Sequence, residues 1–164
     1  MAHVDEGRHL SVVRVGGVPV DGSRADGPVL VAVDADRSSD AAVDFGADQA
    51  QWAGSSLHLI HVCPLRVGAE GVSASPVADV SLAEHREWLT RAAHRAAARH
   101  PRLTIQTELY RGDTVDGLLA TASSCSMLVI GDHENAPADV TIREVTRALI
   151  DESPVPLVIV KGRD

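Results

Sequence analysis

Apolar and polar residues follow two rhythms along the chain, and the change from one to the other separates strands from helices. Val29 to Val33 is a short unbroken apolar run after Pro28, the pattern of a strand covered on both faces. Ser38 and Ser39 follow as N-caps, with Asp40 in the first turn. Ala42, Val43, Gly46, Ala50 and Ala53 recur at helical spacing, and Gly54 predicts the stop. Leu57 to Val62 reads as the next strand, and Pro64 to Ala78, rich in Gly, Ser, Pro and Val, as a long loop. A second helix is predicted from about Ser81 to His100, with Leu82, Leu89, Ala93 and Ala96 on one stripe and Pro101 ending it.

The second half repeats the alternation. Leu103 to Leu109 alternates strictly between apolar and polar residues, which in a parallel sheet marks an edge or half-exposed strand. Val115, Leu118, Leu119 and Ala122 form the clearest helical stripe, inside a helix predicted from about Thr114 to Ser124. Met127 to Ile130 is a strand. Asp139 to Asp151 is a helix that buries Ile142, Val145 and Leu149, and Leu157 to Val160 is the last strand after Pro154 and Pro156. Five strands alternating with four helices predict an α/β fold. Its right-handed crossovers build an open five-stranded parallel sheet with helices on both faces.

Residues 1–27 mix charge, Gly and Pro and read as a flexible extension, although Ser11 to Val15 is a weak strand candidate. Residues 28–162 form the domain. The last strand is apolar on both faces. At a sheet edge its backbone donors and acceptors would lie open, so a homodimer pairing through Leu157, Val158, Ile159 and Val160 is expected. The alternative is that Lys161 and the short tail protect the edge.

Composition narrows the partners. The 164 residues are 45% hydrophobic but only 2% aromatic, so the core is aliphatic. A net charge of −8 argues against nucleic acid or an anionic membrane as the main partner. No apolar run approaches the ~20 residues of a membrane span, and no signal pattern opens the chain, so the expected location is the cytoplasm. Cys63 and Cys125 each stand alone in the sequence and read as reduced thiols in or near the core.

The eight histidines do not suggest a metal. His58 and His61 are three apart on a strand and point to opposite faces. His85, His94 and His100 make no i, i+4 pair, and His133 reads as an exposed side chain. Solvated or core-satisfied imidazoles are the expectation. Ser123 to Ser126 lacks any nucleophile context, no catalytic set emerges, and the charges on the second predicted helix read as its solvated face.

Ligands of open parallel sheets sit at the carboxyl ends of the strands. There the sequence offers Val33-Asp34-Ala35-Asp36, Arg111-Gly112-Asp113 and Gly131-Asp132-His133-Glu134. Together with Leu59-Ile60-His61-Val62, Leu128-Val129-Ile130-Gly131 and Ser153-Pro154-Val155-Pro156, these segments resemble the universal stress protein family in both order and spacing. The resemblance implies a Rossmann-like sheet of order 3-2-1-4-5, usually dimeric through the last strand. It also implies a nucleotide site, for which Asp34, Val62, Gly112, Gly131 and Arg143 are the candidate residues.

ATP-binding members of that family carry Gly-x2-Gly-x9-Gly-Ser/Thr after the fourth strand, where glycine lets backbone N–H groups approach phosphate oxygens. Here Gly131 is followed by Glu134 at the second glycine position, and by Glu144 and Val145, or Arg143 and Glu144, at the Gly-Ser/Thr pair. Asp132, Glu134 and Asp139 add carboxylates that would oppose a triphosphate by roughly 1–4 kcal/mol per close pair, with Arg143 as a partial offset. The reading that follows is a non-enzymatic, dimeric stress-response protein with a degenerate ATP-binding loop and no cofactor. The alternative is an ATP- or AMP-binding signalling protein with a remodelled loop. Asp34 reads equally well as a turn or cap residue after a strand, and the alternative for Gly112 and Gly131 is a simple turn glycine and a strand exit.

Overall fold

The computed structural model describes residues 12–15, 26–35, 38–63, 82–132 and 140–161. Six strands and four helices run in the order β1 (Val12–Val15), β2 (Val29–Ala32), α1 (Ser38–Ala53), β3 (Leu57–Cys63), α2 (Leu82–Arg99), β4 (Ile105–Arg111), α3 (Thr114–Ala122), β5 (Met127–Asp132), α4 (Val140–Glu152) and β6 (Leu157–Lys161). The expected loop from Pro64 to Ala78 and the loop residues His133, Glu134 and Asp139 lie outside the described residues.

Strands β2 to β6 are parallel, and counted along the chain they stand in the expected order 3-2-1-4-5. The alternating strand β4 lies at one edge. Ile105 and Leu109 pack toward the core beneath α2, and Gln106 is exposed on the opposite face, as the period of two requires. Strand β2 is central, and Val29, Leu30 and Val31 are buried, as an unbroken apolar run requires.

The two faces hold separate cores. Val29, Val31, Leu57, Leu59 and Val129 point to one side, beneath Ala42, Val43, Ala47 and Ala50 of α1 and Leu89, Ala92 and Ala96 of α2. Leu30, Ile60, Leu128, Ile130 and Leu157 point to the other, beneath Leu118 and Ala122 of α3 and Leu149 of α4. The period-2 alternation of the strands divides the residues between the cores. Leu82, placed on the apolar stripe of α2 by its spacing, is exposed, because the buried part of that helix begins later, with Leu89. Gly54 ends α1 with a φ of 65°, as its position predicts.

One feature corrects the sequence reading. Val12–Val15, the weak strand candidate inside the expected flexible extension, forms β1 and pairs antiparallel with β6 in the register Val12↔Val160 to Val15↔Leu157. The sheet therefore has six strands, and the edge expected to meet a second chain at Leu157, Val158, Ile159 and Val160 is covered by the chain's own N-terminal strand. The physical cause is the one that pointed to a partner: open backbone groups on an apolar edge recruit whichever strand is nearest, and a tethered one is nearest.

Candidate functional site

The strand order reverses between β2 and β5, and a crevice opens there beyond the carboxyl ends of the strands. It encloses about 350 Å³, within the range of small-molecule sites. Ala32, Val33 and Asp34 bring it the end of β2, His61 and Val62 the end of β3, and Ile130 and Gly131 the end of β5. Thr114 and Leu118 of α3 and Val145, Thr146 and Leu149 of α4 form one wall, and His85 and Trp88 of α2 the other.

The predicted site residues divide. Asp34, Val62 and Gly131 line the crevice. Asp34 is exposed at its mouth, where its Oδ1 accepts the Ala35 N–H at 2.7 Å and its carbonyl accepts the Ser39 hydroxyl at 3.2 Å. Ser39 thus anchors the turn from within α1 rather than standing free before it. Gly112 and Arg143 are not part of the lining. The Gly112 N–H donates to the Cys63 carbonyl at 3.0 Å, which ties the end of β4 to that of β3, and Arg143 is exposed on the first turns of α4. Asp132 faces Lys161 across 3.8 Å, so this loop carboxylate has a cationic neighbour.

The second wall is what residue-by-residue reading of the sequence missed. His61 is 5% exposed. It hydrogen-bonds through Nδ1 to the Val33 carbonyl at 2.7 Å and through Nε2 to His85 Nδ1 at 2.7 Å. His85 Nε2 lies 3.5 Å from Cys63 Sγ. The two imidazoles lie edge to edge across their shared hydrogen bond, with centroids 4.8 Å apart and planes 27° from parallel, and Trp88 meets both edge-on. Desolvation by burial, and then the charge of His61, hold His85 below the usual histidine range. The signal was present in the spacing: His85 lies four residues before the buried Leu89, on the helix stripe that faces the sheet. What the spacing could not supply was the strand opposite. His58 does point away from His61, and pairs with Glu108 at 3.0 Å.

The charges of α2 also have partners. Arg95 grips Asp44 with two bonds of 2.7 Å, and Arg99 and His100 both reach Asp48. Asp40, Asp44 and Asp48 recur every four residues on α1, opposite Arg95 and Arg99 on α2, so part of the face read as solvated is an inter-helix seam. Among the described residues no group of His, Cys, Asp and Glu is arranged to hold a metal ion, and no helix is long and apolar enough to cross a membrane.

Comparison with known proteins agrees with this geometry. The sequence model of the universal stress protein family matches residues 27–161. A structure of a protein from the universal stress protein family of Burkholderia pseudomallei is 21% identical, covers 84% of this chain and 97% of its own, and superimposes with a TM-score of 0.65. A universal stress protein from Archaeoglobus fulgidus in complex with dAMP is 22% identical over 82% of this chain and 98% of its own, with a TM-score of 0.60. A universal stress protein in complex with cAMP is 20% identical over 84% of this chain and 99% of its own, with a TM-score of 0.62. At these identities the structural likeness establishes the fold. No curated protein shows significant sequence similarity.

Proposed function

The chain belongs to the universal stress protein family, and from that membership we propose that it is a non-enzymatic stress-response protein, a binding or regulatory partner in the cytoplasm that does not hold ATP tightly. The observation that carries this reading is the sequence after Gly131, where Glu134 replaces the second glycine of the phosphate-gripping pattern and no Gly-Ser/Thr pair follows in either register. A side chain there blocks the close backbone approach that phosphate oxygens need, and a carboxylate adds repulsion. Titration calorimetry with magnesium-ATP tests it: no heat of binding is expected in the micromolar range, and micromolar affinity would refute it.

The crevice itself favours a second reading, a site for a nucleoside monophosphate such as AMP. Its walls are mostly apolar, its volume of about 350 Å³ suits one small ligand, and the Asp34 carboxylate stands at its mouth as an acceptor for ribose hydroxyls. Two structurally similar family members are described as complexes with dAMP and cAMP. In this reading AMP binds where ATP does not, and Asp34→Ala abolishes the binding. If the unaltered protein shows no heat with AMP, the second reading fails.

A further inference from the structure

The histidine wall is a directed chain of hydrogen bonds, and its direction follows from its last acceptor. A carbonyl oxygen only accepts, so His61 must donate from Nδ1 to Val33, over 2.7 Å. Neutral His61 then offers a lone pair at Nε2, and His85 must donate to it from Nδ1, also over 2.7 Å. Neutral His85 is left with its lone pair on Nε2, the nitrogen 3.5 Å from Cys63 Sγ. The thiol therefore faces a base that a second histidine orients and a backbone carbonyl locks in one tautomer. This is the nucleophile–base–orienting group order of covalent catalysis. We propose that Cys63 is a modification site, a thiol activated by His85 that exchanges with small disulfides.

The exchange balances within these groups. The Cys63 S–H bond breaks and its proton passes to His85 Nε2. The sulfur electron pair attacks one sulfur of the disulfide, and the S–S bond breaks. The departing thiolate then takes the proton from His85. The products are a mixed disulfide on Cys63 and one free small thiol, and the disulfide is the only co-reactant.

Three further observations favour thiol chemistry here. His85 uses a different nitrogen for each neighbour, so His61, His85 and Cys63 do not converge on one point as metal ligands would. Desolvation holds His85 below the ordinary histidine range, despite the opposing charges of Glu84 on its own helix and Asp34 at the end of β2, so Nε2 is unprotonated and able to accept near neutral pH, while the same shift makes it a weaker base than a free imidazole. His61 and Cys63 are the titratable groups that meet it from β3. Cys125 supplies the contrast: it is fully buried, its thiol is pushed up by that burial, and it donates to the Thr121 carbonyl rather than facing an imidazole among the described residues. Because His61, His85 and Trp88 line the crevice, an adduct on Cys63 removes the hydrogen that His85 accepts and alters the wall a ligand would touch.

The test uses the full chain and dithiobisnitrobenzoate, an aromatic disulfide whose released thiolate is coloured. One equivalent should react at Cys63, located by peptide mass, with a rate that changes less than about threefold from about pH 6.5 to about pH 8. An unassisted thiol, with a pKa near 8.5, slows about tenfold for each unit below it. His85→Gln should restore that steep slope and slow the reaction at about pH 7 by about tenfold or more. The slope of the unaltered protein decides the matter even if the variant folds poorly. A tenfold-per-unit slope in the unaltered chain, labelling confined to Cys125, or an inert folded protein would each overturn the proposal.

Discussion

Gly46 of α1 lies so close to Val31 of β2 that a β-carbon on it would overlap Val31 Cγ2. The helix can approach the central strand only because no side chain intervenes, and Leu57 Cδ1 at 3.5 Å closes the other side of the gap. Alanine is worth about 1 kcal/mol more than glycine in a helix interior, but overpacking a filled core costs about 1–3 kcal/mol. Gly46→Ala should therefore lower the unfolding free energy by up to about 2 kcal/mol net, and the urea midpoint with it. A higher midpoint would show that propensity outweighs the contact.

The seam between α1 and α2 predicts a small, salt-dependent coupling. Arg95 and Asp44 meet through two bonds of 2.7 Å with side chains 43% and 20% exposed, and its hydrogen bonds to the Asp44 carboxylate hold the Arg95 guanidinium above its usual range. Exposed pairs contribute up to about 1 kcal/mol. A double-mutant cycle with Arg95→Ala and Asp44→Ala should give a coupling in that range at low salt, smaller in molar salt. Zero coupling at low salt would remove the seam from the energetics.

The pH dependence of stability has two windows. His85 is held below its usual value of 6.5, by burial first, so between its folded value and 6.5 the unfolded chain binds the extra proton. Stability then rises with pH through that window and is lost as pH falls below 6.5. Asp48 behaves as a stabilised carboxylate: burial raises its pKa, but hydrogen bonds from Arg99 and His100 outweigh this and leave it below 3.8. Its contribution, modest at a site this exposed, is present above 3.8 and fades as pH falls through the lower folded value. Thermal unfolding across pH should show a slope on the acid side of 6.5 that His85→Gln flattens. An unchanged slope in that variant would place the titration elsewhere.

Strand β1 predicts a change of assembly. It occupies the edge of β6 through four residue pairs. Removing residues 1–15 should expose the backbone of Leu157 to Val160, which a second chain can then cover. Sedimentation velocity should show the truncated protein shifted toward dimer relative to the full chain. If both sediment alike, β1 does not control that edge.

The elements and their order were determined by the sequence alone. The apolar runs at Val29, Leu57 and Met127, the helical stripe at Leu118 and the strict alternation before Tyr110 each report local geometry, because the periods of strand and helix are written in neighbouring residues. Asp34, Val62 and Gly131, the candidates implied by the family resemblance, line the crevice because strand ends in a parallel sheet converge on one rim. Only the tertiary structure joined His61 and Cys63 to His85, 24 and 22 positions away, placed Asp44 against Arg95, and set β1 on β6. These contacts join residues distant in sequence, and no local period records which helix covers which strand. It also separated Gly112 from the crevice, since a glycine at a strand end serves a ligand or a neighbouring carbonyl equally well, and only the position of Cys63 decides which.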